Sequence, residues 1–219
     1  MRPRRSGACR RADCPDQTGG ARGRLFDRAE PEVLDAFESA VVALSEVGAT
    51  VVDGSMGGIL DELAAIDRIG TFPSIEVGAT LRGLGLDNLD GADSKTRVRI
   101  EAGAGILATD YARMIKLRQA AIRSFGHAIT EDEVFALPTT PVRAPLLESV
   151  DESAAFHDAN GLVLRNPRIA NLVDCPSISL PIPVSGLPVG FMLIGRRHAD
   201  RRLLEIASWV EAALAAGHS

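Results

Sequence analysis

Hydrolysis or group transfer by side chains alone needs a nucleophile with a base in reach, and this sequence is poor in both. Its candidate bases are two lysines, Lys95 and Lys116, and four scattered histidines, His127, His157, His198 and His218. A serine at its free pKa is a weak nucleophile until a neighbouring base takes its proton. Ser55, in "DGSMGG" at 53–58, sits among small residues with no lysine before it, and reads as a strand-to-helix turn. Ser185, in "VSGLPVG", reads as part of a hairpin turn. Cys175 stands alone between Asp174 and Pro176, where a cysteine behaves as a small buried hydrophobe. Cys9 and Cys14 lack the two further ligands a zinc site requires, the nearest histidine being His127. The acidic stretch "GLGLDNLDGAD" at 83–93 lacks the ligand spacing of a calcium loop and reads as solvated. No H-E-x-x-H, P-loop or G-x-G-x-x-G occurs. These residues assign no catalytic group, no metal and no cofactor.

Whatever chemistry the chain supports must be carried by an aliphatic core. Of 219 residues, 46% are hydrophobic, 24% charged and only 4% aromatic. The apolar share excludes disorder over the whole length. No apolar run approaches the ~18 residues of a membrane span, so no membrane partner is expected. Net charge is −5, but residues 1–24 hold seven arginines against two aspartates, leaving −10 on the rest. An acidic body lacks the clustered cations that phosphate contacts need, which argues against nucleic acid. The basic head, 1–24, has almost no aliphatic residues to bury and is expected to be disordered. No apolar stretch follows its arginines, so it does not read as a secretory signal. Three unpatterned cysteines fit a reducing cytoplasm.

The elements that must position the remaining residues are legible from about Leu25. Pro31 suits a first helical turn, and Val33, Phe37, Val41, Leu44 and Val47 recur every three or four residues up to Gly48. A β-branched strand, "ATVVD", follows at 49–53. A second helix is predicted after "GSMGG", to about residue 68. Glycines at 70, 78, 83, 85 and 91 predict loops and broken helices over 69–95. A helix is predicted from about Ile100 to Phe125, with Gly103 and Gly105 allowing close packing at its start. "EVFALP" at 133–138 is a buried strand, 142–160 a polar loop, and "PRIANLVD" a short helix. "PSISLPIPV" and "VGFMLIG" form an antiparallel hairpin across "SGLP". Asp200 caps a final helix that buries Leu203, Ala207, Val210 and Leu214. The expectation is an α/β fold, a mixed β-sheet flanked by helices, with residues 25–219 as one unit.

Several of these stretches, in order, resemble the C-terminal part of the amidase signature family. "VRIEAGAGILATDYARMIKLRQ" is similar to its Gly…Asp-Tyr…Arg helix, with Tyr111 and Arg118 matching. "FALPTTPVRAP" resembles its strand ending in Pro-Thr-x-Pro and Ala-Pro. "RIANLVDCPSISLPIPVSGLPVGFMLIGRRHADRRLLEIASWVE" resembles its C-terminal stretch, with Asn171, Pro176, Pro181, the run Gly186 to Gly190, Gly195, Asp200 and Glu211 in place. "EPEVLDAFESAVVALSEVGATVVD" is similar to the helix and strand before this region. The resemblance covers about 25–212 and is loosest over 54–96.

The resemblance implies a partial amidase-type domain and an activity on carbon–nitrogen bonds. It implies a Ser–cis-Ser–Lys triad, in which a lysine of lowered pKa draws a proton through the second serine, and a glycine-rich turn that holds the oxyanion. The equipment is missing here: no Ser-Ser pair exists, and "DGSMGG" follows the strand that lies after the family's catalytic loop. The expected catalytic set is therefore none, and the chain is read as a truncated C-terminal portion, inactive alone, or as a non-catalytic binding protein derived from an amidase. Arg118 either walls the substrate pocket, where a guanidinium binds carboxylates, or is a surface arginine. Asn171 either orients the turn before 177–182 or touches ligand. The expected partners are a small-molecule amide once a catalytic half is supplied, and either a complementing chain or a second copy.

Overall fold

The computed structural model describes residues 8–12, 24–86 and 89–216. The chain divides into two compact units, residues 1–59 with 122–219 and residues 60–121.

The first unit is built on a mixed five-stranded sheet of order β2-β1-β3-β5-β4. Its strands are β1 (Ala8–Ala12), β2 (Thr50–Gly54), β3 (Glu133–Pro138), β4 (Ser177–Ile182) and β5 (Val189–Ile194). β1 runs parallel to both β2 and β3, whereas β3–β5 and β5–β4 are antiparallel. The expected hairpin, β4–β5, pairs Ser177 with Ile194 through to Ile182 with Val189, and Gly186 takes the turn at φ 94°. That left-handed conformation is open to glycine at no steric cost. A strand within the basic head departs from the expected disorder of 1–24; the rest of that reading, Arg24 apart, lies outside the described residues.

Helix α1 (Pro31–Glu46) forms as its stripe predicts, burying Val33, Phe37, Val41 and Leu44, while Val47 falls beyond it and is exposed. Phe37 is completely buried and stacks on Phe191 of β5 at 5.2 Å, with Phe26 at 5.8 Å. Helix α2 (Gly57–Asp67) opens in this unit and continues into the second. The last helix, Asp200–Ala216, buries Leu203, Ala207, Val210 and Leu214 as expected. Residues 142–160, expected as a loop, carry a 3-10 turn (Leu147–Val150) and most of a helix (Ser153–Arg165). That helix buries no residue fully, although Ala155, Phe156, Ala159, Leu162 and Val163 recur at helical spacing that the loop reading overlooked.

The second unit holds α3 (Phe72–Gly83), inside the stretch 69–95 read as loops and broken helices, α4 (Ser94–Ala104), which starts before the helix expected from about Ile100, and most of α5 (Ala108–Ala128). The single helix expected from 100 to 125 is thus two, parted at 105–107. Asp93 starts α4 by accepting from the N–H groups of Lys95 and Thr96 at 3.0 and 3.1 Å. That is the work of an N-cap, and it gives the acidic stretch 83–93 a structural use. The expected close packing at Gly103 is present: a Cβ there would lie 2.3 Å from the Ser74 carbonyl oxygen of α3.

Candidate functional site

Two polar clusters are candidates, one in each unit. In the second unit, Tyr111 and Arg118 lie seven residues apart on α5, two turns and hence one face. Phe72 and Glu76 lie one turn apart on α3. The Tyr111 hydroxyl donates to Glu76 Oε1 at 3.0 Å, its ring meets Phe72 edge-on at 5.9 Å, and the Arg118 guanidinium carbon stands 6.0 Å from the Phe72 centroid. The bond to Glu76, helped by partial burial, raises the Tyr111 hydroxyl above its ordinary pKa. The phenol is therefore held protonated, a donor rather than a base. Arg118 is half-buried, its guanidinium at cation–π distance from the Phe72 ring. A cavity of about 510 Å³ lies between α3 and α4, lined by Ile75, Arg82, Arg97, Ile100 and Ile106 among others; Arg118 is not in its wall.

The first unit places its polar cluster at the end of β3. The Thr139 and Ser179 hydroxyls meet at 2.6 Å, and Thr139 N–H donates to the Gly190 carbonyl at 2.8 Å. Gly190 permits this approach, since a Cβ would come within 2.4 Å of Thr139 Oγ1 and 2.6 Å of Ser179 Oγ. Asn166 is fully buried, donates from Nδ2 to the Pro138 carbonyl at 2.8 Å, and accepts from Arg165 Nε at 3.3 Å. Glu30 N–H donates to the Pro141 carbonyl, and Glu30 accepts from Arg143 Nε at 2.6 Å, which fixes the far side of the turn. Among the described residues neither Thr139 nor Ser179 hydrogen-bonds a lysine, histidine or carboxylate, so this pair is held as structure, not primed for attack. Asn166→Ala is expected to cost about 1–3 kcal/mol, because the buried Pro138 carbonyl loses its donor. Urea denaturation measures it, and an unchanged midpoint would show the bond to be idle.

Asn171, the asparagine singled out in the sequence, is exposed on a short helix, Pro167–Leu172, in the first unit, whereas Arg118 belongs to the second. The turn before β4 is held by backbone bonds, Val173 N–H to Ile169 O and Cys175 N–H to Ala170 O, and by an Arg197–Asp174 ion pair. The asparagine that sequence reasoning missed is Asn166. Its signal was position, between a helix and the "PRIANL" segment, but burial is not written in the sequence.

The other candidates are spread over the fold, with Cys175 only partly buried and His157 in a helix where a loop was expected. Ser55 is exposed and accepts from the Gly57 N–H at 3.2 Å, closing the turn into α2. His127 lies in the last turn of α5, His157 in the 153–165 helix, and His198 in a turn at φ 64°; His218 lies outside the described residues. Burial, with Asp174 beside it, pushes the Cys175 thiol up to about 11. A raised thiol pKa means that the folded state holds its proton more tightly. Stability from this group is intact below the ordinary value near 9 and declines as pH climbs from about 9 to 11. Iodoacetamide should label the Cys175 peptide slowly at pH 8 and rapidly only near pH 11, read by mass spectrometry; fast labelling at pH 8 would contradict the burial. Among the described residues no group of three histidines, cysteines or carboxylates suits a metal, and no helix is long and apolar enough to cross a membrane.

Comparisons with known proteins agree with the ordered motifs. The chain is 26% identical over 205 residues to a 2-amino-5-chloromuconic acid deaminase of Comamonas testosteroni, covering 93% of this chain and 44% of that protein. It is 28% identical over 225 residues to a glutamyl-tRNA(Gln) amidotransferase polypeptide of Halobacterium salinarum, covering 91% and 52%. The chain thus spans about half the length of the curated relatives it matches. A solved allophanate hydrolase of Kluyveromyces lactis shares the fold, with a TM-score of 0.73 at 23% identity over 95% of this chain and 32% of that one. Residues 19–204 match the family model Amidase, a span close to the 25–212 drawn from the motifs, and the chain belongs to the amidase signature family.

Proposed function

We propose that this chain forms the C-terminal half of an amidase-type hydrolase, acting on carbon–nitrogen bonds when a second polypeptide supplies the serine pair and the lysine. One observation carries the reading: family sequence fills residues 19–204, yet the 219 residues contain no Ser-Ser pair. The two lysines are poorly suited to the missing role. Lys95 stands in the first turn of α4, and Lys116 is exposed on α5. A base that works through a bridging serine must be desolvated and aimed at it.

In this reading the Arg118 guanidinium, beside Phe72, is the group that binds a carboxylate of the substrate. The relatives named a deaminase and an amidotransferase both act, by name, on nitrogen-bearing carbons, which supports the reaction class and leaves the substrate a small amide. The cytoplasm is the proposed location. Purified chain incubated with simple aliphatic and aryl amides is expected to release no ammonia above the blank. Turnover by the chain alone that a serine reagent abolishes would refute the inactivity.

A non-catalytic binding role is the second reading. It is favoured by the exposed apolar residues of the second unit: Val77, Leu84, Leu86, Val98 and Leu107 are each between 41% and 68% accessible. Apolar side chains left in water suit association with a partner chain that covers them.

A further inference from the structure

Two unpaired guanidiniums line one cavity in the second unit. The cavity, about 510 Å³, takes Arg82 from α3 and Arg97 from α4. Among the described residues neither arginine makes a hydrogen bond or an ion pair. The contacts of the two helices fix their register. A Cβ on Gly103 would meet Ser74, and one turn further along α3 a Cβ on Gly78 would meet Ile100. The helices are therefore antiparallel, and the next turn of α3 brings Arg82 level with residues 96–97 of α4. The two arginines thus stand side by side at the end of the helix pair nearest the 84–93 connection. Arg97 is half-buried. Like charges held together and partly out of water are costly, and an anion between them offsets both the repulsion and the lost hydration. Two acids also line the cavity. Asp90 has a partner of its own. Glu101 follows Arg97 by one turn, the spacing of a helical ion pair, yet that pair does not form. Away from the arginines the wall includes Ile75, Ile100 and Ile106. Along α4 the lining runs from Arg97 to Gly103, roughly 9 Å at the helical rise. A volume of this size, with an apolar body and a few convergent polar groups, has the form of a small-molecule pocket.

We propose that this cavity binds an aliphatic monocarboxylate, its carboxylate held by Arg82 and Arg97 and its chain lying along Ile100 toward Ile75 and Ile106. A guanidinium matches a carboxylate with two parallel N–H···O bonds, which a hydrated point charge does not. Glu101, in the same wall, disfavours a ligand with a second carboxylate. Arg118 is not in the wall, so this site is separate from the Tyr111–Arg118 cluster, and the inference does not rest on the amidase reading.

The test titrates the full chain with octanoate by isothermal calorimetry. Saturable binding is expected, with acetate, octanol and octanedioate each bound about tenfold more weakly or worse. Arg82→Gln and Arg97→Gln should each weaken octanoate about tenfold or more, the loss of a charge-assisted contact, while circular dichroism shows the fold intact. Arg99→Gln removes the same charge from the same helix outside the cavity and should leave the affinity as it is. Ala79→Trp, which puts a ring into the cavity and keeps both arginines, should abolish binding. No octanoate binding, equal binding of acetate or octanol, or an equal loss with Arg99→Gln would overturn the proposal. So would an affinity unchanged by Arg82→Gln and Arg97→Gln but lost on Arg118→Gln, since the carboxylate would then sit in the Tyr111–Arg118 cluster. None of these outcomes is read through catalysis, so failure here leaves the amidase reading standing, and failure of that reading leaves this one.

Discussion

Phe37→Ala is expected to lower the stability of the first unit by about 3–5 kcal/mol, the usual cost of emptying a buried aromatic site. Phe37 has no exposed surface, stacks on Phe191 across 5.2 Å and leans on Phe26 at 5.8 Å. Those two rings stand on separate segments, the strand β5 and the turn before α1. The cavity left behind cannot close unless α1 moves toward the sheet. Small domains are stable by only about 5–15 kcal/mol, so the loss is a large fraction of the whole. The urea midpoint reads it directly. Phe37→Leu, which keeps most of the volume, should cost less than half as much. A Phe37→Ala midpoint within error of the parent would mean that α1 is not seated on β5.

Gly103→Ala sets two effects of opposite sign against each other. Alanine favours a helix over glycine by about 1 kcal/mol, and Gly103 lies inside α4. Against that, the new Cβ would stand 2.3 Å from the Ser74 carbonyl oxygen, 2.4 Å from its carbon and 2.7 Å from the Ile75 nitrogen. All three are backbone atoms, so no rotamer change relieves the contact and α3 must move. Overpacking of this kind costs about 1–3 kcal/mol, and a contact on backbone belongs at the upper end. Clash is therefore expected to win, with a net loss of about 1–2 kcal/mol from the difference of those two terms. Hydrogen exchange should quicken in α3 and α4 while β3 and β5 keep their protection. A stabilised variant would show that the helices are not in backbone contact.

Where a helix or strand buries one face in its own unit, the sequence announced it. The stripe from Val33 to Leu44, the alternation in "PSISLPIPV" and the run "VGFMLIG" all became the elements expected, because burial imposes the period. The bounds of α3 and α4 were not legible, for the same reason inverted. No residue of α3 is buried, and Gly103 alone is in α4. Without a buried stripe there is no period to read, and Gly78 and Gly83 looked like breakers. Inside the helix Gly78 lies beside α4, where a Cβ would make only an ordinary contact with Ile100 Cγ2 at 3.9 Å. The strand at 8–12 was hidden because "ACRRA" has no apolar alternation to read.

Local spacing also decided how much of the candidate sites was legible. Tyr111 and Arg118 share a helix, and their seven-residue spacing put them on one face before any fold was known. Their partner Glu76 lies 35 residues from Tyr111, and Ser179 lies 40 from Thr139, so tertiary folding alone brings these pairs together. Asn166 and Asn171 look equivalent in "RNPRIANLVD". Folding buried the first beneath Pro138 and left the second on the surface.

The central claim, that this chain completes an amidase rather than being one, is tested most directly by reconstitution. A separately expressed polypeptide carrying the family's Ser-Ser and Lys half is mixed with this chain, and ammonia release from a simple amide is followed. The expected result is no release by either chain alone, and a rise of roughly a thousandfold or more on mixing. That rise should vanish when the added chain's nucleophilic serine is replaced by alanine. Amide turnover by this chain alone, lost on Ser55→Ala, would contradict it.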